Sequence, residues 1–258
     1  MAEPVVHRED IVAELRRLGI AAGDMLIAHT SLRAFGWVEG GAEAVVQALL
    51  DTVGPTGTVM VPTFNHGRVR VFDPEETPSH NGAVTEALRR RPEAVRSLHP
   101  SHAYAAVGGR AEELTAGNLE VGTFDPRSPL GKLAAAGGWV VLLGVGMHAN
   151  TCVHIGQATA RVHCLGYERE RSLLCLDGEV REVLTTLWRG RGRCWVEGGP
   201  VEERLRGADM IRDGQIGNAE VHLMRASDVV KTTVALCGEV CPQCPVQPDW
   251  RSPRAIAP

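Results

Sequence analysis

The sequence predicts an α/β fold. It is read as a three-layer sandwich with a mostly parallel central sheet, plus a smaller C-terminal β-hairpin and helix portion. Two observations carry this. Short apolar runs alternate with segments of helical periodicity through the first 146 residues, which argues for parallel strands covered on both faces. The pattern then changes, with Asp177-Gly178 between two extended runs.

In chain order, residues 7–18 read as an amphipathic helix, because Ile11, Leu15 and Leu18 fall at helical spacing and Gly19 can close it. Gly23-Asp24 is a turn, and residues 25–29 form a short apolar run suited to a buried strand. Gly40-Gly41 precedes a helix over 42–53, closed by Gly54. Residues 58–64 are a strand with Pro62 toward its end, since proline cannot donate to a ladder. Residues 84–90, 110–115 and 130–136 read as helices, 104–107 as extended, and 139–146 as the clearest buried strand. Beyond them come a hairpin over 173–176 and 179–187, a Gly/Arg-rich loop over 189–200, a strand over 219–224 and a helix over 228–236.

The whole of 1–258 reads as one domain: a core over about 1–160, a C-terminal portion over about 161–246 and a proline-rich, poorly ordered tail over 247–258. With 44% apolar and 22% charged residues, the composition is that of a globular chain. A net charge of −4 gives no basic footprint for nucleic acid. No apolar run approaches the roughly 20 residues that span a bilayer, so no membrane partner is expected. No secretory leader is visible, which points to the cytoplasm. Seven cysteines, an odd number, argue against a secreted disulfide scaffold.

Four segments place reactive groups beside predicted strand ends. His29-Thr30-Ser31-Leu32-Arg33 brings hydroxyls and a cation to the end of a strand, where they can hold a phosphate or serve as a cap and a surface Arg. In His99-Pro100-Ser101-His102 the proline restrains the backbone between two imidazoles. Gly144 to Gln157 runs from a buried strand through glycines into a helix that Asn150 or Thr151 can cap. His148, Thr151 and His154 follow at intervals of three. An imidazole at such a junction suits a general base, and Cys152 is either a thiol nucleophile or a small buried residue. Last, Cys241-Pro-Gln-Cys244 is half of a tetrahedral zinc site. Cys194 is the candidate third ligand, with Cys237, Cys175, Cys164 and His163 as other donors. Reduced thiols or a disulfide are the alternatives.

Taken in order, His29-Thr30-Ser31-Leu32 with Gly36, Val61-Pro62-Thr63-Phe64, His99-Pro100-Ser101-His102 with Gly108, Ser128-Pro129, Asn150-Thr151…His154 and Gly217-Asn218-Ala219 resemble the aminoglycoside 3-N-acetyltransferases over about residues 8–236. The cysteine-bearing C-terminus is similar to the apramycin- and gentamicin-modifying branch. The resemblance implies that family's own α/β sandwich, with acetyl-CoA as donor lying along Ser31, Leu32, Arg33, Thr63, Phe64, Ser101 and His102. It implies His154 as general base, Thr151 or nearby N–H groups at the oxyanion, and direct acetyl transfer to the 3-amino group of a 2-deoxystreptamine aminoglycoside by a monomer or homodimer. His148 and Gln157 stand where that family usually has Asp and Glu. Carboxylates that hold a polycationic acceptor are then sought at Asp73, Glu75 and Glu76, or at Glu197, Glu202 and Glu203, with Asn150 as a further acceptor contact. Competing expectations are an acyltransferase acting on a less cationic amine, an acyl-CoA thioesterase using Cys152 with His154 or His148, and an inactive CoA-binding homologue organised by zinc.

Overall fold

The computed structural model describes residues 5–190 and 194–244. The elements are β1 (Val5–Val6), α1 (Arg8–Arg17), β2 (Met25–Thr30), β3 (Trp37–Val38), α2 (Gly41–Val53), β4 (Thr58–Pro62), β5 (Val71–Phe72), α3 (Ala83–Arg89), β6 (Val95–Arg96), β7 (Tyr104–Gly108), α4 (Ala111–Thr115), α5 (Pro129–Ala135) and β8 (Trp139–Leu143). They continue with α6 (Cys152–Thr159), β9 (Leu165–Leu176), β10 (Glu179–Gly190), α7 (Gly198–Gly207), β11 (Arg212–Ile216), β12 (Ala219–Arg225) and α8 (Ala226–Val240).

A seven-stranded sheet runs in the order β11-β12-β8-β2-β4-β7-β6. Strand alternation sends successive side chains to opposite faces, and each face meets its own helices. Leu26 and Ala28 of β2 join one apolar cluster with Ile11 and Leu15 of α1, Val45 and Leu49 of α2, and Leu88 of α3. Ile27 of β2 and Leu142 of β8 join a second cluster with Leu114 of α4, Leu133 of α5, Ile155 of α6, Leu205 of α7 and Leu236 of α8. The result is the expected three-layer arrangement.

Strand direction departs from the expectation. Only β2–β4 and β2–β8 pair in parallel, and the four pairings outside this centre are antiparallel, so the sheet is not mostly parallel. For β11 and β12 the physical reason is connection length. Ile216 and Ala219 are joined through Gly217-Asn218 as a hairpin, and a parallel return would need a long crossover.

The C-terminal hairpin is much longer than the sequence suggests. β9 and β10 pair over twelve positions, from Leu165↔Gly190 to Leu176↔Glu179, and β5 adds in parallel beside β9. The loop expected over 189–200 therefore begins inside a strand, and its later part is the start of α7. The proline-rich tail from residue 247 lies outside the described residues. Among the described residues no helix is long and apolar enough to cross a membrane.

Candidate active site

The carboxyl ends of β2 and β8 lie side by side, with Thr30 opposite Leu143 and the Ser31 amide donating to the Leu143 carbonyl at 2.9 Å. Ligands gather at such ends because loops there diverge and leave a crevice. The chain after β8 turns at Gly144, whose φ of +67° only glycine adopts without strain, and whose Cβ position is already filled by Ala34. It then passes through a 3-10 turn at Met147–Ala149 into α6, which carries His154.

Helix α6 is pressed onto α8. A Cβ on Gly156 would fall 2.4 Å from the Cβ of Thr233, so the absence of a side chain at 156 sets how closely the helices approach. Asn150 anchors the entry to α6. Its Oδ1 accepts from the Cys152 amide at 3.1 Å, and its amide group donates to the sulfurs of Met147 and Met224. Its side chain is thus engaged within the fold.

His154 Nδ1 lies 2.8 Å from Gln157 Oε1, and Gln157 Nε2 donates to the Val196 carbonyl at 2.7 Å. A carbonyl can only accept, so the second bond sets which way the amide faces. Its oxygen must then face the imidazole, and Nδ1 must carry the hydrogen. Nε2 is left as the basic nitrogen. Burial lowers the His154 pKa, partly offset by the Gln157 bond and by the charge of Glu197. Glu197 follows Val196 directly, and Gly198 packs on the Met147 carbonyl, which brings this segment against the His148 turn.

Around His154 is a cavity of about 530 Å³. Its walls include His29 and Thr30 from β2, Pro62 at the end of β4 with Phe64 and His66 after it, His102, Phe124, the 145–151 turn with His148 and Thr151, and Leu165 and Trp188 from the hairpin. Phe124 stands between two imidazoles, with ring centroids 4.8 Å from His154 and 5.8 Å from His102. It has φ of +62°, an uncommon conformation for an aromatic residue, of the kind that gathers at functional sites. Thr123 holds it there by accepting from the Trp188 amide at 2.6 Å.

A second cavity of about 570 Å³ shares His66, His102 and Trp188 with the first and extends along Arg70, Phe72, Ser101, Glu170 and Arg171 under the hairpin. His102 is held by Ser101, whose hydroxyl lies 2.9 Å from its Nδ1. His99, by contrast, is fully buried. Its Nδ1 accepts from the Ser101 and His102 amides, and burial pushes its pKa down to about 4.

Of the expected site residues, the fold brings Thr151, His148, His154, Phe64 and His102 to one cavity, and Ser101 to its neighbour. Ser31, Leu32 and exposed Arg33 follow Thr30 but line neither cavity. The Thr63 hydroxyl is used internally, donating to the Ala103 carbonyl and accepting from half-buried Arg96. Asp73 accepts from the amides of Glu75 and Glu76 and lines neither cavity, and neither does Glu75. Cys152 is fully buried and lines no part of the cavity, and burial raises its thiol pKa, the reverse of what a nucleophile needs. His66, Phe124 and Trp188 escaped the sequence reading. Their signals were weak: a polar Asn-His-Gly turn, and single aromatics in a chain with only four Phe and five Trp.

The cysteines gather away from this cavity. Cys164 contacts Cys194, and Cys237 contacts Cys241. Burial and neighbouring thiols push Cys164 and Cys237 up to about 12, so both are neutral thiols. Of the expected zinc ligands, Cys194 and Cys241 lie in this cluster and Cys244 reaches it through Cys241. Among the described residues no group of three or more His, Cys, Asp or Glu side chains is arranged to hold a metal ion. The cluster as folded does not fit the zinc expectation.

A family model described as aminoglycoside 3-N-acetyltransferase matches residues 27–237. Aminoglycoside N(3)-acetyltransferase VII of Streptomyces paromomycinus is 34% identical, over 89% of this chain and 91% of its own length. Aminoglycoside N(3)-acetyltransferase IV of a Salmonella species is 30% identical, over 90% and 87%. Among solved structures, a histidine-to-alanine mutant of aminoglycoside acetyltransferase AAC(3)-IVa in complex with a gentamicin superposes with a TM-score of 0.82 at 27% identity, covering 93% of this chain and 91% of that one. The AAC-IIIb binary complex with CoASH gives 0.81 at 25% identity, covering 92% and 97%.

Proposed function

This chain belongs to the aminoglycoside 3-N-acetyltransferase family and is an acyltransferase, and on that premise we propose that it moves the acetyl group of acetyl-CoA to the 3-amino group of a 2-deoxystreptamine aminoglycoside, with His154 as general base. The observation that carries this reading is the hydrogen-bond chain Val196–Gln157–His154, which leaves a neutral imidazole with Nε2 as the basic nitrogen.

The acceptor nitrogen attacks the thioester carbon while Nε2 takes its proton. The carbon–sulfur bond then breaks with its electron pair on sulfur, and the imidazolium returns the proton to the thiolate. Gln157 keeps Nδ1–H engaged throughout. Glu197 favours the imidazolium as it forms, a role the family's usual acids at 148 and 157 would otherwise share. Acetyl-CoA supplies the acetyl group when bound. His102 and Ser101, at the junction of the two cavities, are its candidate contacts, with Ser31, Leu32, Arg33 and Phe64 along its path.

A second reading keeps the reaction and changes the acceptor to a less cationic amine. One observation favours it: among the described residues lining the His154 cavity there is no carboxylate, and the neighbouring cavity has only Glu170. Polycations are held by carboxylates. Thiol release from acetyl-CoA with apramycin, gentamicin and a neutral primary amine, with the acetylated position determined, separates the readings. Turnover of the drugs at N3 supports the first. Turnover of the neutral amine alone supports the second, and no turnover with any amine rejects both.

A further inference from the structure

The wall opposite α6 contains polar atoms that the fold leaves unsatisfied. His29 is 5% exposed and lines the His154 cavity, and its Nε2 has no hydrogen-bond partner among the described residues. Thr30 Oγ1, the next residue, is likewise buried without a partner. Across the cavity Thr151 Oγ1 is in the same state, and the Tyr104 hydroxyl approaches it without closing a full hydrogen bond. More than nine in ten buried polar groups in folded proteins are paired. Leaving one bare is costly to the fold, because its lost hydration is not replaced. His29 and Thr30 are neighbours at the end of β2 and both line this cavity, so a ligand that fills it is the partner within reach of that wall.

We propose that His29 is a catalytic residue of the acyl transfer, donating a hydrogen bond from its neutral imidazole to the thioester carbonyl oxygen and to the oxyanion that forms from it, with the Thr30 hydroxyl beside it. The inference rests on the acetyl-transfer reading above and deepens it.

Placement is the first argument. β2 and β8 are parallel neighbours in register at Thr30 and Leu143, so His29 ends one strand while the chain leaving the other carries Thr151 and His154. A thioester in this cavity has the base on the α6 side and His29 on the β2 side.

Chemistry is the second. Burial pushes the His29 pKa down to about 4, so the ring is uncharged near neutral pH and keeps an N–H to donate. A group meant to hold an ammonium would be a carboxylate. A neutral N–H donor, preorganised in a dry wall, suits an oxygen that gains negative charge.

The electron count closes without His29 giving up its proton. The amine lone pair forms the new carbon–nitrogen bond, and the carbonyl π pair moves to oxygen, where His29 N–H meets it. When the π bond re-forms, the pair of the carbon–sulfur bond leaves on sulfur and is protonated by His154.

The test uses the full chain with His29→Leu and His29→Gln, the second retaining an uncharged N–H donor. His29→Leu is expected to lower kcat on the order of 10²–10³-fold, the span for loss of one oxyanion donor. KM for acetyl-CoA and Kd for CoA, which has no acyl carbonyl, are expected to stay within about threefold. His29→Gln is expected to recover about tenfold of the loss, and the acid limb of the kcat–pH profile should not move in either variant. A spectroscopic readout stands beside the kinetics. The carbonyl-labelled ketone analogue of acetyl-CoA, acetonyl-CoA, should show a downfield ¹³C carbonyl shift on the wild-type protein that shrinks in His29→Leu and returns in His29→Gln. Unchanged kcat in His29→Leu, a raised Kd for CoA with kcat retained, or an unaltered carbonyl shift overturns the inference. Should His29→Leu not fold, a His29→Gln carbonyl shift equal to that of the free analogue overturns it alone. Wild-type protein that acetylates amines and shifts the carbonyl while His29→Leu does both equally well isolates failure of this inference. Wild-type protein that does neither rejects the acetyl-transfer reading itself, and His29's role with it.

Discussion

Gln157 Oε1 stands 2.8 Å from His154 Nδ1, one turn along α6, and faces it because the other end of the amide is tied to the Val196 carbonyl. An uncharged residue thus sets the tautomer of the proposed base. Replacing Gln157 by Met should free the ring to rotate and to exchange tautomers. We expect kcat to fall about tenfold to a hundredfold, with KM for acetyl-CoA little changed, since the loss falls on the orientation of the base. A fall confined to KM would remove Gln157 from this role.

The pH dependence should follow the burial of His154. Its pKa lies below 6.5, so the acid limb of kcat should fall below that pH, with activity flat above it. Glu197 raises that pKa. Glu197→Gln should therefore move the limb to still lower pH, raising the ratio of activity at pH 5.5 to that at pH 7.5. A limb that moves toward higher pH contradicts the assignment.

The contact between α6 and α8 through Gly156 is expected to be intolerant of a methyl group. Gly156→Ala places a Cβ against Thr233 and the Val230 carbonyl, both closer than van der Waals contact allows. Overpacking of this kind costs about 1–3 kcal/mol, outweighing the gain of under about 1 kcal/mol from better helix propensity. Urea denaturation should show the net loss. Activity should drop with it, because the helix that must shift carries His154.

Arg96 is half-buried and donates to Thr63 Oγ1 and to the carbonyls of Thr63, Pro74 and Thr77, tying the 73–77 turn to the end of β4. Arg96→Met keeps the stem and removes the donors. Stability should fall by about 1–2 kcal/mol, the scale for losing hydrogen bonds from a half-buried cation. Proteolysis near residues 74–77 should quicken, and unchanged resistance there would show that the turn holds without the clamp.

Stability should also decline on mild acidification. His29 and His99 both have folded pKa values of about 4 against an ordinary 6.5. Between those values the unfolded chain binds protons that the folded chain refuses, so stability is full above pH 6.5 and is lost as pH falls toward 4. Each ring can account for up to about 3 kcal/mol over that window. Glu86, held near 2 by Arg89 and Arg90 against the opposing effect of burial, contributes stability lost only in the separate window from 4.5 down to 2. Urea denaturation at pH 7.5 and 5.0 should show the first loss clearly. Equal stability at the two pH values would mean the rings are protonated in the folded state.

Much of the fold was legible in the chain because its signals are local. Periodicity marked α1, α2, α3, β2, β4 and β8 to within two or three residues, since a helix or buried strand must repeat its apolar face to meet the core. Strand direction at the sheet edges was not legible, because pairing is chosen by connection length and partner availability. The hairpin around Asp177-Gly178 was legible, but its extension to twelve pairs was not, because the Glu-Arg-Glu-Arg run of β9 is exposed or half-exposed and shows no apolar face.

The same division holds at the site. By itself the sequence determined the family resemblance, the histidine on a helix after a buried strand, and the substitution of His148 and Gln157 for acids. Only the tertiary structure decided that Gln157 faces the ring, that Thr63 and Asp73 are engaged elsewhere, and that His66, Phe124, Trp188 and His29 share a cavity with His154. The reason is distance along the chain. A side chain 125 positions from His154 becomes its neighbour only when two strands align their ends, and no local pattern of residues records that alignment.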